Sequence, residues 1–302
     1  MIKTINYPDR ETGRRPMPSW LKRPMAYGGK KIAVDNQCAR NDLHTVCVEA
    51  KCPNRGECFG RGTATFLILG NVCSRGCTFC GVDQGEPGPV DYGEPERVCE
   101  AVKNMGLNHV VITSVTRDDL PDGGAGHFAK TVTALKRNMP GIAVEILVPD
   151  FNGNDQALEA VLESGPDVLN HNIETVPRLY PVVRPKALYA RSIGLLAKAA
   201  GSSVQLKTKS GLMVGLGETR EEVIETLRDL RSAKCSLLTI GQYLRPSESR
   251  APVHAFITPE EFKRYESIGY DLGFSKVFAG PFVRSSYKAE EMINSCRFPG
   301  TG

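Results

Sequence analysis

Thr65-Phe66-Leu67-Ile68-Leu69-Gly70-Asn71-Val72-Cys73-Ser74-Arg75-Gly76-Cys77-Thr78-Phe79-Cys80 decides the fold. Phe66–Leu69 is an apolar run of strand length, and a cysteine-rich loop follows it directly. A rhythm of short apolar runs and amphipathic segments continues from there to Ala279. Val98, Val102 and Met105 share one face of a helix near Pro95–Met105, stopped by Gly106. His109–Thr113 reads as the next strand. Phe128, Val132 and Leu135 mark a helix that ends before Pro140. A strand at Val144–Val148, a helix at Asp155–Glu163 and a strand at Asp167–Asn172 follow. Then come a helix at Tyr189–Ala200 and a strand at Val204–Thr208. Thr219 and Glu222 form a capping box for a helix carrying Val223, Leu227 and Leu230. Leu237–Ile240 is a strand. Thr258, Pro259 and Glu261 start a helix carrying Phe262 and Tyr265, and Lys276–Ala279 is a last strand.

Strands alternating with helices call for βαβ units and a parallel sheet. About six such units fit, fewer than a closed eightfold barrel requires. The expected class is α/β, an incomplete TIM-like (β/α)6 barrel, with a doubly wound open sheet as the alternative. The barrel spans 64–280. Residues 1–63 form an N-terminal cysteine-rich extension and 281–302 a C-terminal one. Functional loops belong at the strand C-terminal ends in either fold.

The chain has 302 residues, 41% apolar and 24% charged, which suits a globular protein and excludes a disordered or collagen-like one. It has no run of 18 apolar residues and no apolar signal core near Met1, so neither a membrane span nor export is expected. A cytoplasmic location is the expectation. Net charge is +4, yet residues 1–31 alone hold eight Lys or Arg and two acids. The basic excess is therefore one Pro-rich arm, not a nucleic-acid-binding body. That arm is expected to lie extended on the body, anchored by Trp20. Residues 38–62 read as an irregular segment that needs more than apolar burial to order it.

Ten cysteines are present, six of them between Cys47 and Cys80. A chain of this length without an export signal is not a disulfide scaffold, so clustered thiols read as metal ligands or catalytic groups. Cys73-x3-Cys77-x2-Cys80 places three thiolates on a tight loop, enough for three irons of a 4Fe–4S cube with the fourth left open. A closed zinc site wants a fourth Cys or His, and no His lies between Cys47 and Cys80. Zinc completed by a distant Cys is the alternative. Cys47-x4-Cys52-x5-Cys58 is a second triad and lacks the C-x2-C pairs of zinc knuckles. Cys38, Cys99, Cys235 and Cys296 lack cluster spacing and read as packing residues. No His pairs with Ser or Cys as a nucleophile would require, so hydrolase chemistry has little support. Gly215-Leu216-Gly217 lacks a full dinucleotide or Walker pattern and reads as a tight strand–helix turn.

The cysteine loop after the first strand resembles the signature of the radical S-adenosylmethionine superfamily. This resemblance implies that S-adenosylmethionine chelates the open iron and is cleaved to a 5′-deoxyadenosyl radical, with Phe79 near the adenine. Thr113 and Ser114 end the second strand, and Asn172 and Glu174 the fourth. There they suit ribose hydroxyls and the methionine amine, loop capping being the alternative. Arg184 and Arg284 suit a carboxylate or carbonyl, a surface ion pair being the alternative.

The two triads together resemble the lipoyl synthase family, and the likeness runs from about Trp20 to Tyr287. Further matching stretches are Ile112–Ala125, His171–Thr175, Val183–Pro185, Lys209–Glu218 and Arg284-Ser285-Ser286-Tyr287. The resemblance implies two 4Fe–4S clusters. Cys73, Cys77 and Cys80 would hold the one that cleaves S-adenosyl-L-methionine. Cys47, Cys52, Cys58 and Ser286 (or Ser285) would hold an auxiliary one. It implies insertion of two sulfurs, at C6 and C8 of a lysine-linked octanoyl chain, with the auxiliary cluster as sulfur source. Implied partners are an octanoylated lipoyl-carrier domain or glycine-cleavage H protein, a flavodoxin- or ferredoxin-type electron donor, and an iron–sulfur carrier for cluster repair. The basic arm is expected to steer an acidic carrier. Neither nucleic acid nor membrane is implied. Ser295–Gly302 falls outside the likeness and is expected as an unstructured tail. The rivals are another two-cluster enzyme of the superfamily, a zinc-stabilised binding module and an iron–sulfur electron carrier.

Overall fold

A computed structural model describes residues 17–22 and 29–297. Its parallel strands are β1 (Thr65–Ile68), β2 (His109–Ser114), β3 (Ala143–Leu147), β4 (Val168–Asn170), β5 (Lys207–Val214), β6 (Leu237–Gln242) and β7 (Lys276–Gly280). They lie side by side in chain order. The crossovers are α1 (Glu94–Asn104), α2 (Ala125–Asn138), α3 (Asp155–Glu163), α4 (Tyr189–Gly201), α5 (Arg220–Ser232) and α6 (Pro259–Asp271). A two-residue edge strand, His44–Thr45, runs antiparallel to β1. The order never reverses, whereas a doubly wound sheet reverses at its switch point.

Period-two alternation separates the two faces of the sheet. Phe66, Ile68, Val110, Ile112, Val144 and Ile146 face the helices, where Val98, Phe128, Leu135 and Val161 meet them. Leu212, Leu238, Ile240 and Val277 do the same against Val223, Leu227, Phe262 and Tyr265. Each such fully buried side chain stabilises the fold by about 1.5–3 kcal/mol. The opposite face is more polar. Lys209 and Glu145 are both 0% exposed and joined by a 2.8 Å Nζ–Oε1 hydrogen bond. Asn170 Nδ2 donates to the same oxygen at 3.2 Å.

That inward lysine explains one displaced element. Apolar pattern puts a strand at Val204–Thr208, but β5 runs Lys207–Val214 with Lys209 facing inward. β1 begins at Thr65 and stops before Leu69, whose φ of 67° leaves the strand. Residues 38–62 are less irregular than expected. A helix at Gly29–Arg40 covers the end of the arm, and short helices follow at Val46–Glu49 and Arg55–Gly60. They gather around Val34, Cys47, Phe59 and Ala64. Trp20 is half-buried, and its neighbour Leu21 is the buried anchor. Most of the basic arm lies outside the described residues. The expected tail is helical up to Arg297 as part of Ala289–Arg297, because Met292 and Ile293 pack on Val168, Leu237 and Phe278. Residues 298–302 lie outside the described residues. Both caps form as the sequence indicates: Glu222 N–H donates to Thr219 Oγ1 at 3.2 Å and Glu261 N–H to Thr258 Oγ1 at 3.3 Å. Among the described residues no helix is long and apolar enough to cross a membrane.

His171, just past β4, is buried between two fixed partners. Its Nδ1 lies 2.8 Å from the Val148 carbonyl and must donate, so Nε2 accepts from the Ser192 hydroxyl at 2.9 Å. Burial lowers its pKa to about 4. An unfolded histidine titrates near 6.5, so the unfolded chain takes up the proton first and stability falls as pH drops through that window. From pH 7 to pH 5, His171 should remove about 2 kcal/mol of stability. Urea unfolding should show that loss in the wild-type chain and its absence in His171→Gln.

Candidate functional site

Leu69 and Gly70, both at positive φ, turn the chain out of β1 into the cysteine loop. Val72–Cys73 pairs with Asp83–Gln84, so a two-residue ribbon clamps the loop at its base. Within it, Gln84 Nε2 donates to the Cys77 carbonyl at 3.1 Å. Thr78 N–H donates to the Val183 carbonyl, and Ala251 N–H donates to the Thr78 carbonyl, tying the loop to two others.

The strongest anchor is Arg75, only 4% exposed. Its guanidinium donates to Asp118 through Nε at 2.7 Å and Nη2 at 2.9 Å. Nη2 also reaches Asp150 Oδ1 at 2.6 Å and Asn152 Oδ1 at 2.8 Å. Asp118 follows β2 and Asp150 follows β3, so one side chain fixes the cysteine loop to two strand ends. Burial alone would raise the Asp150 carboxyl; Arg75 more than reverses that and holds it low.

The thiols of each triad are neighbours. Burial pushes Cys80 up to about 12, and the Cys77 and Cys73 thiols add to it. Burial pushes Cys58 up to about 12, with Cys47 and Cys52 adding. Burial raises Cys47 to about 11, against the Thr65 backbone N–H and hydroxyl beside it. Such thiols ionise fully only when a cationic centre shares their charge. The two triad segments also touch. A Cβ at Gly81 would lie 2.7 Å from the Ala50 carbonyl oxygen, so only glycine permits this approach.

Cys47, Cys52, Cys58 and Cys80 line one cavity of about 500 Å³, together with Phe79, Asn172, Glu174, Arg284, Ser285 and Ser286. Two glycines let its wall pack closely. A Cβ at Gly211 would meet Thr239 Oγ1 at 2.5 Å and Asn172 Oδ1 at 3.0 Å, and one at Gly241 would strike the Val283 carbonyl. The C-terminal segment closes in from the other side. Asn54 Nδ2 donates to the Phe282 carbonyl at 2.6 Å, Thr65 Oγ1 to Ser286 Oγ at 2.8 Å and Tyr287 OH to Glu57 at 2.9 Å.

The remaining expected residues divide. Asn172 donates to Glu174 at 3.0 Å, while its buried Oδ1 has no partner. Glu174 holds a left-handed φ of 66°, strained for a non-glycine, between backbone bonds to Gly211 and Met213. Burial raises its pKa against the pull of Arg184. Arg184 makes no surface ion pair. It is buried, stacks over Tyr180 and donates to the Asn172 carbonyl at 3.1 Å, beside Cys77. The Thr113 hydroxyl is spent on the Leu147 carbonyl at 2.9 Å, and Thr113 is not among the cavity-lining residues. Nor is Ser114, whose buried hydroxyl has no partner. The Gly215–Gly217 turn is a strand–helix turn whose amides at Gly215 and Leu216 are taken by Glu218. Cys99 and Cys235 are buried packing residues, Cys38 packs beside Cys47, and the Cys296 side chain lies outside the described residues. Among the described residues no three His, Cys, Asp or Glu are set to hold a single metal ion.

Residues 67–230 match the Radical SAM superfamily. The chain is 60% identical over 255 residues to the lipoyl synthase of Caldanaerobacter subterraneus subsp. tengcongensis, covering 84% of this chain and 89% of that one. The chain belongs to the lipoyl synthase family. It is also 53% identical over 288 residues to the lipoyl synthase of Rubrobacter xylanophilus, covering 95% and 90%. Lipoyl synthase membership makes it a radical S-adenosylmethionine enzyme of the sulfur-inserting kind. Solved structures agree on the fold. Methylornithine synthase (PylB) aligns with a TM-score of 0.53 at 15% identity, over 83% of this chain and 82% of that one. The FeFe-hydrogenase maturase HydG from Carboxydothermus hydrogenoformans aligns with 0.53 at 13%, over 77% and 65%.

Arg75 and Thr65 were not singled out by spacing. Arg75 lies inside the motif, but its partners are far along the chain. Arg75→Ala would leave Asp150 buried with Arg191 as its remaining cation, at 3.2 Å. In this member of the family that should cost about 3–5 kcal/mol in denaturant unfolding. Arg75→Lys should recover only part, because an ammonium lacks the planar fork. Wild-type stability in Arg75→Ala would refute the anchor.

Proposed function

We propose that the chain inserts two sulfurs, at C6 and C8, into an octanoyl group linked to a carrier lysine, giving the lipoyl group. The observation that carries this is the opening of Cys47, Cys52 and Cys58, of Cys80 from the other loop, and of Ser286 onto one cavity, Cys73 and Cys77 lying behind its wall. The donor chemistry fits iron–sulfur clusters: two triads of thiols, in each of which neighbouring thiols act on one another. Cys73, Cys77 and Cys80 would hold one 4Fe–4S cluster. Cys47, Cys52, Cys58 and Ser286 would hold the other, Ser286 being favoured over Ser285 by its bond to Thr65 beside Cys47. When bound, the first supplies the electron that cleaves S-adenosylmethionine to the hydrogen-abstracting radical, and the second supplies sulfur.

The chain's own residues then position and shield. Asn172 Oδ1 and the Glu174 carboxylate offer acceptors for an amine, and Arg184 holds Asn172 from behind. Phe79 offers an apolar face for the adenine. Thr113 is held by the sheet, and Ser114 lies behind the cavity wall. Arg284, on the cavity wall near Glu174, suits a carbonyl or carboxylate. The apolar walls of Val111, Leu147 and Met213 suit an acyl chain.

We read the sheet as an incomplete (β/α)6 barrel over 64–280, with extensions 1–63 and 281–302. The Asn54–Phe282 and Thr65–Ser286 bonds, which join the β1 side to the segment after β7, support this reading. The carrier would be a lipoyl domain or H protein, assisted by an electron donor and an iron–sulfur carrier, in the cytoplasm.

Anaerobic turnover with an octanoyl-lysine peptide tests the proposal. Wild-type protein should yield 5′-deoxyadenosine and a two-sulfur product. Replacing Cys73, Cys77 and Cys80 with Ala should halve the bound iron and stop 5′-deoxyadenosine formation. Replacing Cys47, Cys52 and Cys58 should spare cleavage and abolish sulfur transfer. Full iron in both triple variants would refute the ligand assignment.

A further inference from the structure

We propose that Thr65 is a positioning residue that prepares Ser286 to ligate the second cluster, an inference that rests on the ligand set proposed above. Thr65 opens β1, is 5% exposed, and lies on the cavity wall. Its Oγ1 donates to Ser286 Oγ at 2.8 Å. Its backbone N–H and hydroxyl also stand beside the Cys47 thiol. One residue therefore touches two of the four proposed ligands, which belong to opposite ends of the chain.

The direction of the bond sets its consequence. By accepting from Thr65, Ser286 Oγ must aim its own proton elsewhere. A donor at hydrogen-bond distance fixes where that oxygen lies, so Thr65 holds Ser286 Oγ on the cavity wall beside the Cys47 segment. A β-branched side chain has restricted χ1, so the strand fixes the donor's direction. Thr65→Val keeps the shape and removes the donor. Thr65→Ser keeps the donor and loosens it.

The experiment uses the full chain, anaerobically reconstituted with 57Fe. It combines Mössbauer spectroscopy with the initial rate of iron release to a ferrous chelator. Thr65→Val should shift its spectrum toward that of Ser286→Ala and release iron about tenfold faster than wild type. Thr65→Ser should stay close to wild type in both. Adding Thr65→Val to Ser286→Ala should change nothing further. A wild-type spectrum and release rate in Thr65→Val would overturn the proposal. So would an undiminished Thr65→Val effect in the Ser286→Ala background, which would place its action on Cys47 or on the fold. A wild-type spectrum in Ser286→Ala would instead show that Ser286 is not a ligand, and both readings would fall together.

Discussion

The Arg75 guanidinium joins the cysteine loop to the ends of β2 and β3, and the geometry of the site depends on it. Asp150 is in turn gripped by Arg191 from α4, so one buried carboxylate collects a loop, a strand end and a helix. The two-residue ribbon and the bonds through Thr78 hold the loop at its base and flank. A planar fork with two fixed acceptors on Asp118 adds a directional hold from below. Burial makes the arrangement all-or-none: these charges are tolerated only while every partner is in place.

Helix-facing residues were legible because they repeat. Val98 and Val102, or Leu227 and Leu230, announce a buried face, and Thr219 and Thr258 announce where helices begin. The inward face carries Thr65, Glu145, Asn170 and Lys209, which imitate loop composition, so the apolar pattern indicates a strand ahead of the true β5. The triads were legible because ligands to one group can lie a few residues apart on a loop. Arg75 and Thr65 were not, because their meaning is in their partners. Asp118 is 43 residues from Arg75, and Ser286 is 221 residues from Thr65. No local pattern encodes a contact of that range. The Ser286–Thr65 bond is likewise what distinguishes two adjacent serines that the sequence leaves equivalent.

The two cysteine segments reach a common cavity by different routes. The loop of Cys73–Cys80 is an outgrowth of the sheet, set by β1 and by the buried charges beneath it. The segment of Cys47–Cys58 belongs to a small helical cap with its own apolar cluster around Val34 and Phe59. Gly81 lets the two backbones meet at Ala50. A rigid platform thus faces a separately packed cap.

The Thr65–Ser286 contact also has a temporal meaning. Synthesis makes β1 and both cysteine segments well before the opposite wall, since Ser286 follows Thr65 by 221 residues. The cavity therefore has one wall that cannot close until the whole intervening sheet has been made.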